Sequence, residues 1–180
     1  LKKGLLKIEA RFPEAAGPME HLLIDINLLE SHQAEHLILD AVSACKGMGS
    51  EEAAFSYLIR LLNYCREKGI TVLLVHQSSG PQQMNDVFGI GYSSLIDSIV
   101  YLNYVQIGGE VNRTILVLKS RGSEHSNQYR EFLISSQGIR FINIYTGSGG
   151  MLTGTARLEQ ENQQELENRQ RKESIEAKKK

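Results

Sequence analysis

The sequence predicts an α/β fold, with a parallel sheet in its first half and an antiparallel extension in its second. Three observations carry this. Between positions 6 and 75, apolar runs of strand length alternate with segments of helical periodicity in the order β-α-β-α-β. From Ile96 the pattern turns strand-only, with glycine-containing turns between several strands. From Gly147 the composition shifts to Gly-Ser-Gly-Gly and then to a charged, amide-rich tail from Arg157 to Lys180. Residues 1–146 are therefore expected to form the folded core, and 147–180 a glycine-rich linker and tail.

Leu6 to Phe12 alternates apolar and polar residues and reads as a strand. Pro13 and the Gly17-Pro18 pair end it and open a helix, with Pro18 in the first turn. Met19, Leu22, Leu23, Ile26 and Leu29 repeat at helical spacing. His36 to Asp40 is an apolar strand closed by a carboxylate, and Gly47 and Gly49 mark the loop after it. Ser50 is the expected N-cap of the next helix, with Glu51 and Glu52 at the positive end of its dipole. Phe55, Leu58, Leu62 and Cys65 form the expected buried stripe, and Gly69 the stop. Thr71 to Val75 reads as a buried parallel strand. Ile96–Ile107, Arg113–Lys119, Gln128–Ser135 and Ile139–Tyr145 are strand-like, and Gly108-Gly109 is a hairpin signal. The tail carries only Leu158, Leu166, Ile175 and Ala177 as apolar residues after its start, too sparse for a heptad seam, so a solvated helix or disorder is expected.

The bulk numbers narrow the function classes. With 180 residues, 41% hydrophobic and 23% charged, the chain can bury one real core. A net charge of −1 argues against broad binding to nucleic acid or an anionic membrane. No apolar run reaches the roughly 18 residues of a transmembrane helix, and the N-terminus has no signal-peptide pattern. The absence of an initiator Met predicts that the chain begins mid-protein. Cys45 and Cys65 make neither a disulfide framework nor a metal cluster, so a reducing cytoplasm is the expectation.

Ligands of parallel α/β sheets bind beyond the C-terminal ends of the strands, where Asp40 and His76-Gln77-Ser78 fall. Leu37-Ile38-Leu39-Asp40 fits a Walker B strand, whose terminal carboxylate can hold the water shell of a nucleotide-bound Mg²⁺; a structural Asp at a strand end is the alternative. Leu116 to His125 is an apolar strand running into Lys119, Ser120, Arg121, Gly122 and Ser123. On a continuous strand Lys119, Arg121 and Ser123 share one face, and two such cations suit a polyanion such as a triphosphate. A basic strand end exposed to water is the alternative. His32-Gln33-Ala34-Glu35-His36 has an H-x-x-E-H spacing, but zinc ligation needs a continuous helix there, and a solvated helix-to-strand connection is expected. Ser93 and Ser94 precede a strand and read on composition as a polar turn.

From roughly Leu5 to Ile134 the chain resembles the KaiC-type RecA-like ATPases, and more closely the second of the two KaiC repeats. The segments that carry the resemblance are Leu5-Leu6-Lys7-Ile8 with Pro13 to Gly17, Leu39 to Ala44, Asp97 to Leu102 with Tyr104-Val105, and above all Arg121-Gly122-Ser123 with His125 and Arg130-Glu131-Phe132. The resemblance implies a RecA-like, mostly parallel sheet with helices on both faces. By matching position it places Arg113, Lys119, Ser120, Arg121, Ser123, His125 and Asn127 where the family contacts ATP held by the adjacent subunit. It implies Asp40 as the Mg²⁺-positioning carboxylate, and Ser93 and Ser94 at the family's autophosphorylated Ser-Thr pair. It also implies ATP and Mg²⁺ as cofactors, a hexameric ring in the full-length protein, and KaiB-like or signalling proteins as partners.

The departures are specific. No G-x-x-x-x-G-K-[ST] occurs in the chain, and the paired catalytic glutamates that the family places after that loop are missing. The chain by itself is thus expected to be inactive. Met151 to Leu158 with the charged stretch after it resembles the tails of KaiC homologues outside the core clock, which weakens circadian timing as the process. Two readings stay open: an enzyme subunit, ATPase and Ser/Thr autokinase, and a non-catalytic signalling or assembly module that oligomerises through the same interface. A DNA-handling relative is disfavoured by the near-zero net charge.

Overall fold

The computed structural model describes residues 4–77, 95–107, 109–143, 145–147 and 150–177. The chain forms two compact units, Leu1–Leu95 and Ile96–Lys180. Together they give a mixed α/β protein with one parallel two-stranded sheet and one antiparallel four-stranded sheet.

In the first unit a 3-10 turn (Pro13–Ala15) leads into α1 (Pro18–Ser31), β1 (His36–Asp40), a 3-10 helix (Val42–Met48), α2 (Glu51–Glu67) and β2 (Thr71–Val75). β1 and β2 pair in parallel from His36↔Thr71 to Asp40↔Val75. The Ser50 hydroxyl caps α2 by accepting the Ala53 N–H at 3.2 Å. The core is made by Leu22 and Leu29 of α1, Val42 and Cys45 of the 3-10 helix, and Ala54, Tyr57, Leu58, Leu61 and Cys65 of α2. Leu37, Leu39, Val72 and Leu74 pack on it from the sheet.

Several local expectations shift. Residues 5–12 form no strand, because no neighbouring strand offers them a ladder among the described residues, and Leu6, Ile8 and Phe12 are exposed. The buried stripe of α2 is turned by one position: Leu58 and Cys65 are buried as expected, but Tyr57 and Leu61 are buried where Phe55 and Leu62 are only half-buried. Tyr57 donates its hydroxyl to Asp25 of α1 at 2.6 Å, a bond that fixes this rotation. On α1, Met19 and Leu23 are exposed for the same geometric reason, since His21 and Leu22 take the inward face. β2 is packed on one side only: Val72 and Leu74 meet the core, while Leu73 is exposed. His32 caps the end of α1 and His36 opens β1, so the two histidines do not share a helix. No metal-holding cluster of His, Cys, Asp and Glu occurs among the described residues.

The second unit carries β3 (Ser98–Ile107), β4 (Glu110–Ser120), β5 (Arg130–Ser135) and β6 (Gly138–Asn143), antiparallel in that order. β7 (Tyr145–Gly147) and β8 (Gly150–Leu152) form a hairpin, and α3 (Gly154–Ala177) follows. Gly109, at φ +83°, sits in the β3–β4 turn where a side chain would be strained. No helix is long and apolar enough to cross a membrane among the described residues.

Candidate functional site

In the first unit the chemistry-bearing groups collect at the C-terminal ends of the two parallel strands. Asp40 ends β1 opposite Val75, and its side chain is exposed. The next peptide, Asp40–Ala41, is cis. The 3-10 helix then brings Lys46, whose ammonium donates to Glu51 at 2.6 Å. His76 follows β2 and is half-buried; burial first, and the Lys46 charge second, hold its pKa below the usual histidine range. Ser78 lies outside the described residues. A hard, solvent-facing carboxylate at a strand tip is the donor type that a hydrated Mg²⁺ takes, with the phosphates supplying the remaining ligands.

The first unit also holds a polar cluster with no local signature. Asp25 accepts from Tyr57 at 2.6 Å and is paired with Arg11, while His21, buried, lies 2.9 Å from the Pro13 carbonyl. Burial first, then the bond to Asp25, push the Tyr57 phenol well above its ordinary pKa. Burial first and the Asp25 charge second push the Cys45 thiol up to about 11. That thiol is therefore protonated near neutral pH and is no nucleophile.

In the second unit the basic segment is built differently from an uninterrupted strand. The β3–β4 register shifts between Ile99 and Val100: Ile99 pairs with Lys119, and Val100 with Val117. Leu118 is the extra residue of a bulge. β4 stops at Ser120, so Arg121 and Ser123 lie in a turn rather than on one strand face with Lys119. The turn has its own supports. The Arg121 N–H donates to the Asp97 carbonyl at 2.9 Å, Gly122 takes φ +75°, and the Ser120 and Ser123 hydroxyls bond to each other. The Arg121 guanidinium is 3.5 Å from the Asp97 carboxylate, with both side chains at least half exposed. An exposed pair of this kind contributes about 0–1 kcal/mol, so a polyanion competes with it easily.

Ser120, Arg121 and Ser123 thus come together, with Lys119 directly before them. His125 and Asn127 are exposed on the loop that leads to β5. Arg113 is not part of this cluster: it sits six residues up β4 from Lys119, roughly 20 Å along the strand. There it pairs with Tyr104 and Phe132, its guanidinium 5.8 Å from the Tyr104 ring centre. Ser93 and Ser94 lie outside the described residues.

A further polar centre, not expected from the sequence, joins α3 to the sheet. Glu131 on β5 is 2% exposed and lies 3.6 Å from Arg157 of α3, itself 9% exposed. Arg157 also grips Glu161 through two 2.8 Å bonds. The first amides of α3 point at carboxylates: Gly154 N–H at Glu131, 3.2 Å, and Thr155 N–H at Glu110, 3.1 Å. The bond from the Thr155 amide, and then that from its side chain, hold the Glu110 carboxyl below its ordinary pKa. A depressed carboxylate stabilises the fold above its unfolded pKa, about 4.3, and loses that contribution as pH falls through the folded value. The Thr155 amide resonance should therefore titrate below the ordinary glutamate range, and Glu110→Gln should abolish the transition. A transition that persists in Glu110→Gln assigns the proton to another group.

The family model described as KaiC ATPase matches residues 6–145. The chain is 35% identical over 177 residues to circadian clock protein KaiC2 of Synechocystis sp., an alignment covering 98% of this chain and 31% of that protein. It is 30% identical over 154 residues to circadian clock oscillator protein KaiC of Synechococcus elongatus, covering 86% of this chain and 30% of that one. The chain therefore spans less than a third of the length of these curated relatives. With a family match across most of its length, the chain belongs to the KaiC ATPase family.

Proposed function

We propose that this chain is the Walker B-onward part of a ring-forming, KaiC-like ATPase, in which each nucleotide lies between two subunits. The observation that carries the reading is the exposed turn after β4, where Arg121 is presented beside the Ser120–Ser123 hydroxyls on a loop tied to Asp97, with Lys119 at the end of the strand that leads into it. Such a turn suits phosphate held by a neighbour. Asp40, at the tip of β1, suits the metal of the subunit's own nucleotide. Mg²⁺ bound to the triphosphate supplies charge neutralisation there. Asp40 would accept hydrogen bonds from its hydration shell, while Lys119 and Arg121 would donate to phosphate oxygens across the interface, where negative charge develops during transfer. The fuller architecture of this reading is a mostly parallel RecA-like sheet with helices on both faces, working as a hexamer in the cytoplasm with KaiB-like or signalling partners.

The 180-residue chain alone is expected to show no Mg-ATP turnover, because it contains no G-x-x-x-x-G-K-[ST] loop to cradle the phosphates. The protein that joins it to such a loop is expected to hydrolyse ATP. Turnover by the purified chain that disappears in Asp40→Ala contradicts this division of labour. Absence of turnover in the longer protein favours the second reading, a non-catalytic assembly module, which rests on the same missing loop.

Autokinase activity is a finer proposal. Ser93 and Ser94 match the family's acceptor pair, and each phosphate would add a charge of about −1.5 to −2. Phosphopeptide mass spectrometry after incubation with Mg-ATP is expected to find label on one or both. Unchanged incorporation in the Ser93→Ala/Ser94→Ala protein leaves a plain ATPase.

A further inference from the structure

We propose that the first turn of α3 is a clamp that positions Arg113, with Arg157 as the positioning residue. The clamp and the arginine use opposite faces of the same three residues of β4. Thr114 is fully buried and next in register to Glu131, whose carboxylate takes the Gly154 N–H and the Arg157 charge. Asn112, two residues back, lies against Gly154 so closely that a Cβ there would meet its Nδ2 at 2.6 Å and collide with the Glu110 carboxylate. Gly154 also sits at φ +59°, so both the contact and the backbone demand a glycine. Between Asn112 and Thr114, Arg113 points the other way, its guanidinium held over Tyr104 on β3.

The backbone of 112–114 is thus pinned from behind by the helix start while Arg113 is presented in front. A long cation meets a ligand in a defined geometry only if its backbone is fixed. Glu131, 2% exposed, has the Arg157 guanidinium 3.6 Å away, so the clamp is set by one buried pair rather than by spread-out packing.

The consequence for Arg113 rests on reading it as a nucleotide contact; the clamp itself does not. Amide hydrogen exchange on the whole chain tests the clamp. Arg157→Gln is expected to speed exchange at 112–114 and at Gly154 and Thr155 together, by at least about tenfold, with β6 unchanged and Arg157→Lys restoring most of the protection. If Arg157→Gln does not fold, Glu110→Gln, at the open edge of the joint, is expected to raise exchange at Thr155 and at 112–114 in the same sense. Faster exchange confined to α3, with 112–114 at wild-type rates, overturns the clamp. In the ATP-hydrolysing longer protein, Arg113→Ala and Arg157→Gln are expected to lower turnover non-additively, the double variant being no slower than Arg113→Ala alone. Additive losses overturn the coupling. If Arg113→Ala changes nothing while the exchange result holds, the nucleotide role of Arg113 falls and the clamp stands.

Discussion

Arg121→Ala in the proposed ring-forming protein is expected to lower ATP hydrolysis by about 10³–10⁵-fold while changing nucleotide affinity only a few-fold, the size of effect known for trans-acting arginines. The asymmetry follows from where the side chain sits. Nucleotide affinity comes mainly from a phosphate loop, which this chain does not contain. Arg121 stands on a turn beyond the end of β4, its guanidinium 3.5 Å from the exposed carboxylate of Asp97. That pair is weak in water, so the ground state gains little from replacing it. Charge that develops on a transferring phosphoryl group is a much stronger partner, and binding that strengthens only there appears in kcat. The backbone of the turn is held independently by the Arg121 N–H to Asp97 carbonyl bond and by Gly122. Alanine should therefore leave the fold intact, and the melting temperature serves as the control. Steady-state turnover and equilibrium binding of a non-hydrolysable analogue separate the two effects. A proportional loss in both places Arg121 in ground-state binding.

Much of the frame was legible because it depends on local pattern. The apolar run of β1, the Ser50 cap and the position of Asp40 at a strand tip all follow from neighbours within a few residues. The antiparallel half was legible for the same reason: strand-length runs separated by glycine turns pair in sequence order. What was illegible depends on distant partners. Leu6 to Phe12 has the alternation of a strand, but alternation supplies no neighbour to pair with. Lys119, Arg121 and Ser123 look like one strand face because spacing cannot register the bulge at Leu118, which is set by pairing with β3. Nor can it place the end of β4 at Ser120, where the next amide, that of Arg121, bonds to the Asp97 carbonyl from a distant part of the sequence. The Asp25–Tyr57 bond spans 32 residues, and it decides which face of α2 turns inward. Glu131 and Arg157 each look like surface charges in the sequence; only their burial against each other marks them as a joint.

Asp40→Ala is expected to reduce turnover by about 10²–10³-fold, since aligning a catalytic metal is worth several kcal/mol and each factor of ten in rate is about 1.4 kcal/mol. Its more telling property is the side of the interface on which it acts. Asp40 belongs to the first unit and Arg121 to the second; in the proposed reading Asp40 serves the nucleotide of its own subunit and Arg121 that of the neighbour. In a closed head-to-tail ring every site then combines one subunit's Asp40 with the next subunit's Arg121. Asp40→Ala and Arg121→Ala subunits, each nearly inactive alone, should recover activity when mixed. An Arg121→Ala subunit still offers Asp40, and an Asp40→Ala neighbour still offers Arg121. Random mixing in equal amounts makes this favourable pairing at about one site in four, so recovered turnover should approach about a quarter of the wild-type value. Mixing must be done by dissociating and reassembling the rings, with co-purification of differently tagged subunits as proof of exchange. Recovery near a quarter requires both the ring and the opposite placement of the two residues. Exchanged rings that stay at the level of the parent variants would show that both residues serve one subunit's site, and the assignment of Arg121 across the interface would be wrong.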